Sequence, residues 1–211
     1  MQAPHRTPSL IRISSLIFDL DGTLIDSCPG IQSSLAAAFR AAGHVMPETD
    51  VRSVIGPPIR VIAARIEPTL SEPELAQIEQ TYRSVYDGDG WRETVAFPDV
   101  VPVLQSLHAE GVRLFIVTNK PRIPSRKILE HLKLDSMFAA VLSRDSRTPG
   151  YSDKTEMVRE IVQSHSLTPE ATALVGDTVE DEEAAGASHL SYIHAAYGYG
   201  TMKHAHASIA S

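Results

Sequence analysis

Asp19 and Asp21 stand one residue apart in Leu16-Ile17-Phe18-Asp19-Leu20-Asp21-Gly22-Thr23, directly after three apolar residues. Side chains alternate across a strand, so this spacing predicts that both carboxylates point one way while Leu20 points the other. Two like charges held that close are unfavourable unless a cation or a proton compensates. The pair suggests a metal site, a nucleophile with a general acid/base, or both. The plain alternative is a turn that closes a strand, since Asp and Gly are common turn residues. Matching signals at later strand ends weigh against it.

Those later ends are Val117-Thr118-Asn119-Lys120 and Val175-Gly176-Asp177-Thr178, the second followed by Asp181. Lys154, in Ser152-Asp153-Lys154, precedes a further helix. In parallel α/β sheets ligands bind at the carboxyl ends of strands. One crevice would then hold several carboxylates, a hydroxyl, an amide and an ammonium. Carboxylates without His or Cys suit a hard divalent cation such as Mg2+. Thr118, Asn119 and Lys154, with backbone N–H groups, would form a phosphate cradle beside it. An acidic pocket repels a phosphate dianion unless a metal offsets the charge, so the combination points to phosphoryl chemistry. Taken alone, Thr118-Asn119 reads as an ordinary turn. The five acids in 177–183 could equally be a solvated helix start, where negative charge is favourable. Lys154 at a helix start faces the positive end of the dipole, so it needs solvent or an anionic partner.

Positioning these residues requires strands that alternate with helices. The first strand is expected at 12–19 and a helix at 26–42, with Ile31, Leu35, Ala38, Phe39 and Ala42 on one face and Gly43 closing it. Helices follow at 51–66 and 72–86, and no strand is expected between 26 and 96. A helix at 97–110 leads into a strand at 112–117. Beyond it come a helix at 125–132, a strand at 138–142, a helix at 154–164, a strand at 171–175, a helix at 180–187 and a strand at 190–195. This order gives an α/β fold, a Rossmann-like parallel sheet covered on both faces, with a small all-helical cap inserted after the first strand. The expected division is 12–25 and 97–200 as core, 26–96 as cap, and 1–11 and 201–211 as tails.

At 211 residues with 43% hydrophobic content, the chain can bury one ordinary core with a modest insertion. A net charge of −7 argues against nucleic-acid or membrane-surface partners. Cys28 is the only cysteine, which excludes an internal disulfide and a multi-cysteine zinc site; it reads as a small helix-entry residue rather than a reactive thiol. Residues 1–9 lack an apolar signal core, so a soluble cytoplasmic protein is expected. His204 and His206, spaced like a chelate, read as surface residues.

These motifs resemble those of haloacid-dehalogenase-superfamily phosphatases with a helical cap. Asp19-Leu20-Asp21-Gly22-Thr23 matches the first motif of that family, Thr118-Asn119 the second, Lys154 the third, and Gly176-Asp177 with Asp181 the fourth. The resemblance runs over about 13–200. Ile55-Gly56-Pro57-Pro58, Thr118-Asn119-Lys120-Pro121, Ser152-Asp153-Lys154 and Tyr197-Gly198-Tyr199-Gly200 are similar to the phosphoglycolate-phosphatase-like branch. The resemblance implies that Asp19 attacks phosphorus and that Asp21 serves as general acid and then base. It implies Mg2+ held by Asp19, the Asp21 carbonyl and Asp177, with Asp181 in support. Gly22, Thr118, Asn119 and Lys154 would bind the phosphoryl group. Gly56 and Arg60 would read the substrate from the cap, whereas Arg52 and Arg65 read as exposed decoration.

Two departures stand in the fourth motif: Glu182 where relatives carry an apolar residue, and His189 in place of a turn glycine. The 144–151 loop also differs. The implied substrate is a small phosphorylated metabolite, and monomer and homodimer both stay open. The intact second acid argues against a dehalogenase, and a cap without lysine against Schiff-base phosphonate chemistry. A sugar-phosphate mutase, a nucleotidase and a catalytically silent phosphate-binding regulatory domain remain as alternatives.

Overall fold

A computed structural model describes residues 12–200 and the backbone of 208–209. His204 and His206 lie outside the described residues. The strands are β1 (Ser15–Phe18), β2 (Ile25–Asp26), β3 (Val95–Ala96), β4 (Arg113–Thr118), β5 (Phe138–Ser143), β6 (Thr172–Gly176), β7 (Ser191–Ala195) and β8 (Ser208–Ile209). The helices are α1 (Cys28–Ala41), α2 (Ile59–Ile66), α3 (Glu72–Gly88), α4 (Val100–Ala109), α5 (Arg122–His131), α6 (Lys154–Ser164) and α7 (Val179–Ala187). Six strands form one parallel sheet in the order β5-β4-β1-β6-β7-β8.

The apolar runs in the strands account for the two-sided core. Leu16 and Phe18 pack with Leu114, Ile116, Ala173 and Val175 on one face, together with side chains of α1, α3, α4 and α5. The intervening residues Ile17, Phe115, Val117 and Leu174 face the other way, onto Met157, Val158 and Ile161 of α6 and Ala184 and Ala185 of α7. A period of two with both sets buried is what a sheet sandwiched between helices demands. Phe18 is level with Ile116 on one side and Val175 on the other, so β4 runs to Thr118 and β6 to Gly176 just past the end of β1. That register brings the residues after all three strands to one edge.

Between β2 and β3 the chain builds the helical cap, in which α3 packs on α1 and α2. The expected helix at 51–66 is broken: a 3-10 turn at Val51–Val54 is followed by an extended stretch, and α2 starts only after Gly56-Pro57-Pro58. Gly56 has φ +126 and the residue before a proline avoids helical angles, which stops the helix there. The expectation of no strand at the cap boundaries also fails. Ile25 pairs with Ala96 and Asp26 with Val95 in a two-residue antiparallel ribbon.

His189 sits exposed in the turn after α7 at φ +58, a left-handed conformation that suits glycine. Relieving it regains about 1–2 kcal/mol of steric strain, of which the added freedom of the unfolded chain offsets about 0.5–1. His189→Gly is therefore expected to stabilise the fold by about 0.5–1 kcal/mol. Urea denaturation checks this, and an unchanged or lowered midpoint would refute it.

Candidate active site

Asp19, Asp177 and Asp181 form the acidic centre. They offer oxygens that all lie within 4.8 Å of one another, and all three residues are buried. Asp19 follows β1 and its N–H donates to Val175 O, which ties the end of β1 to β6. Asp181 is placed by helix-cap chemistry: its Oδ2 accepts from the Thr178 N–H at 3.0 Å and from Thr178 Oγ1 at 2.6 Å, a capping box at the start of α7. Asp177 Oδ1 accepts from Thr23 Oγ1 at 3.1 Å, and its Oδ2 accepts the Tyr199 and Gly200 N–H groups at 2.8 and 3.0 Å. Gly22, at φ +85, leaves the room: a Cβ there would stand 2.3 Å from Asp177 Oδ2.

Lys154 supplies the anionic partners' counter-charge. Its buried ammonium donates to Asp19 Oδ1 at 2.8 Å and to Asp181 Oδ1 at 2.6 Å. These contacts explain a lysine at the first turn of α6, where the dipole alone would disfavour it. The two carboxylates hold the Lys154 ammonium firmly protonated against the opposing effect of burial. Burial pushes the Asp19 carboxyl well above its usual range, and Asp181 and Asp177 add to this while Lys154 opposes it. Burial and Asp181 likewise raise Asp177. Three carboxylates against one ammonium leave excess negative charge in a buried place. The all-oxygen donor set fits Mg2+, which favours hard carboxylate oxygens and offsets that charge.

Several expectations change here. Asp21 does not join the acidic centre: its Oδ1 accepts from Ser27 Oγ and from Lys120 Nζ, the latter at 2.9 Å. β1 ends at Phe18, so strand alternation does not govern Asp19 and Asp21, and each has a lysine of its own. Gly22 is not placed as a phosphate donor, because its N–H donates to Ile25 O in the turn. Thr118 is buried at the end of β4 and its hydroxyl accepts the Lys120 N–H at 3.1 Å, which leaves its proton to donate. Asn119 turns its amide to Glu180 of α7 at 2.8 Å, and its buried Oδ1 has no partner.

In the cap, Arg60 is paired with Glu72 and Glu79 of α3, which lie about two turns apart along that helix. It binds the cap to itself, and Gly56 is exposed in the preceding turn. Arg52 departs from the decorative reading instead. It pairs with Asp26 of β2 and lies 5.6 Å from the centre of the Tyr199 ring. Tyr199 Oη donates to Asp26 Oδ1 and accepts the Ser27 and Cys28 N–H groups. Cys28 is buried, and burial pushes its thiol up, in keeping with a structural role.

Sequence reasoning missed Lys120, Thr23 and Tyr199 as partners of the central acids. Lys120 carried one signal, as the first lysine of the chain and the neighbour of Thr118-Asn119.

A divalent cation should bind and stabilise this centre. At about 100 times its dissociation constant it would add about 2.7 kcal/mol, or a Tm increase of roughly 5–10 °C for a chain this long. Thermal unfolding in chelator and in millimolar Mg2+ measures the shift. A shift that persists in Asp177→Asn would place the ion elsewhere.

Comparison with known proteins agrees with this geometry. Over 201 residues the chain is 31% identical to the tyrosine-protein kinase PtkA of Mycobacterium tuberculosis, covering 94% of this chain and 65% of the relative. The chain thus spans about two-thirds of that relative's length. Over 193 residues it is 31% identical to a phosphoglycolate phosphatase of Psychrobacter arcticus, covering 87% of this chain and 84% of the relative. A haloacid dehalogenase-like family protein of Streptococcus pneumoniae, of known structure, superposes with a TM-score of 0.79 at 28% identity, covering 89% and 87% of the two chains. Among the described residues no helix is long and apolar enough to cross a membrane. The model of the haloacid dehalogenase-like hydrolase family matches residues 16–195, the whole span from β1 to β7 that builds the acidic centre, and the chain belongs to that family.

Proposed function

We infer that the chain is a Mg2+-dependent phosphomonoesterase that works through an aspartyl phosphate on Asp19. The observation that carries this is a buried Asp19 at the end of β1, 2.8 Å from the Lys154 ammonium and clustered with Asp177 and Asp181. Similarity to a phosphatase over most of both chains supports it. Asp19, the Asp21 carbonyl and Asp177 would hold the metal, and Asp181 would brace it through Lys154. Bound there, Mg2+ supplies the positive charge that lets a phosphate dianion approach an acidic site.

Asp19 Oδ attacks phosphorus as the bond to the leaving oxygen breaks, and Asp21 gives that oxygen its proton. Asp21 then takes a proton from the water that releases phosphate from Asp19. Thr118 donates its free hydroxyl proton to a phosphoryl oxygen, and Lys154 stabilises charge on the same group. The cap (26–96) would cover the site on the core (12–25 and 97–200), with the two-residue ribbon at both junctions and 1–11 and 201–211 as tails. The substrate is a small phosphorylated metabolite, with phosphoglycolate as the first candidate.

Phosphate release from a panel of phosphoglycolate, nucleotides and sugar phosphates, with Mg2+ and with chelator, tests the reading. Metal-dependent release upholds it, and well-folded protein that releases none removes it. The resemblance to a tyrosine-protein kinase over 94% of the chain favours a second reading, in which the phosphoryl group passes to a tyrosine hydroxyl. Incubation with ATP and tyrosine-containing peptides separates the two: label on tyrosine favours transfer to protein, and free phosphate favours hydrolysis.

A further inference from the structure

β5 is an edge of the parallel sheet. Among the described residues it pairs with β4 alone, and its sequence, Phe138-Ala139-Ala140-Val141-Leu142-Ser143, carries neither charge nor proline. Edge strands are commonly blunted by such residues, because bare main-chain groups otherwise pair with another strand. The Arg144 N–H donates toward β4, to Thr118 O, so alternation turns the main-chain groups of Ser143 and Val141 outward. Those of Ser143 are closed off by a turn: its N–H donates to Ser146 Oγ at 2.9 Å and its carbonyl accepts the Ser146 N–H at 2.9 Å. Val141, in the middle of the strand, keeps an outward N–H and carbonyl with no partner among the described residues.

α5 lies along this edge. A groove of about 350 Å3 runs between them, lined by Arg122, Arg126, Leu129, Glu130, Asp135 and Val141. Its charges are segregated. Arg122 and Arg126 stand on the first half of α5, Glu130 in its last turn, and Asp135 beyond it, before β5 begins. Arg122 lies at the carboxyl end of β5, where its N–H donates to Asp145 Oδ1 at 2.7 Å, and Asp135 lies at the amino end. Both residues are exposed, and neither has an ion-pair partner among the described residues, whereas Arg126 meets Glu130 within its own helix at 3.6 Å. Ile123, 59% exposed, stands beside Arg126 on the same face of α5.

We propose that a second copy of this chain docks on this edge, with Val141 on a two-fold axis normal to the sheet. The two β5 strands then run antiparallel, and Val141 of each copy exchanges both of its main-chain hydrogen bonds with Val141 of the partner subunit. The same axis keeps both α5 helices on one face of the joined sheet and sets them antiparallel. Charges at opposite ends of one copy are thereby brought together: Arg122 meets Asp135 of the partner subunit, and Asp135 meets Arg122 of the partner subunit. A groove with cations and acids mixed along its length would hold no such preference for its own copy. The acidic centre follows β1 and β6, and β1 is two strands in from this edge, so the pairing leaves the centre uncovered.

Sedimentation velocity of the full chain from about 1 to 100 μM tests this, and wild type should dimerise within that range. Arg122→Asp should weaken the dimer by about 10-fold or more, since it sets two pairs of like charges across the axis. Arg122→Asp combined with Asp135→Arg reverses both members of each pair and should restore the wild-type affinity to within about 3-fold. A wild type that stays monomeric throughout would overturn the proposal. So would a dimer that the single reversal leaves intact, or one that the double reversal does not restore. Hydrogen exchange locates the seam: the Val141 amide should slow by about 10-fold or more as the dimer forms. An amide that exchanges at one rate at every concentration would place the interface elsewhere. Both substituted positions are exposed and outside the acidic centre, so phosphate release per chain is expected to stay unchanged, and the dimer is tested independently of the phosphomonoesterase reading.

Discussion

Replacing Asp19 by Asn is expected to lower phosphate release by about 10^4-fold or more while leaving the metal-free protein at least as stable as wild type. The two effects have one cause. Asp19 is buried beside Asp177 and Asp181, and burial followed by those charges raises its carboxyl well above the usual range despite Lys154. A carboxylate whose folded-state pKa is raised destabilises the fold when it ionises. Asn keeps the volume and can still accept the Lys154 N–H, but it carries no charge and cannot form an acyl phosphate. Single-turnover phosphate release gives the first effect, and urea denaturation in chelator gives the second. Residual turnover above about 1% of wild type would remove Asp19 as nucleophile. A dead and destabilised variant would attribute the loss to fold damage instead.

The frame of the acidic centre was legible because it is local. Continuous apolar runs, each followed by an acid or a hydroxyl, mark the strand ends at Asp19, Thr118 and Asp177, and one sheet gathers them. Lys154 begins α6 where the sequence places it, and its position against the helix dipole already called for solvent or an anionic partner. What stayed hidden depends on pairs far apart in the chain. Lys120 reaches Asp21 across 99 positions and Tyr199 reaches Asp26 across 173, and neither contact leaves a periodic trace.

The two-residue ribbon is shorter than any pattern that alternation can mark. Arg52 and Arg60 exchanged roles for a similar reason. Each is a long cation with acids within reach, and only the packing of α2 on α3 and of the 51–54 turn near β2 decides which acid each one meets.

Lys154→Met is expected to cost about 3–5 kcal/mol at neutral pH without Mg2+, the usual penalty for stripping a buried charge of its partner. The pH dependence identifies the cause. Asp19 and Asp177 have folded-state pKa values above the unfolded carboxyl value, so the folded chain binds their protons more tightly. Their contribution to stability is fully present below the unfolded pKa of about 3.9, and it is lost as pH rises through the folded pKa. Lys154 limits that loss by drawing Asp19 downward. Without it the folded pKa climbs further and the loss at neutral pH grows.

Stability measured by urea denaturation in chelator should therefore fall more steeply from pH 5 to pH 8 in Lys154→Met than in wild type. Millimolar Mg2+ should restore more of the difference at pH 8 than at pH 5, because acids whose folded pKa is raised carry fewer protons at the higher pH. Parallel pH curves would mean that the Lys154 charge does not compensate the cluster. Divergent ones would show that this protein tolerates an under-neutralised acidic centre in its folded state. That centre is the arrangement a cation-dependent phosphoryl site requires, since full neutralisation by lysine would leave nothing to draw the metal in.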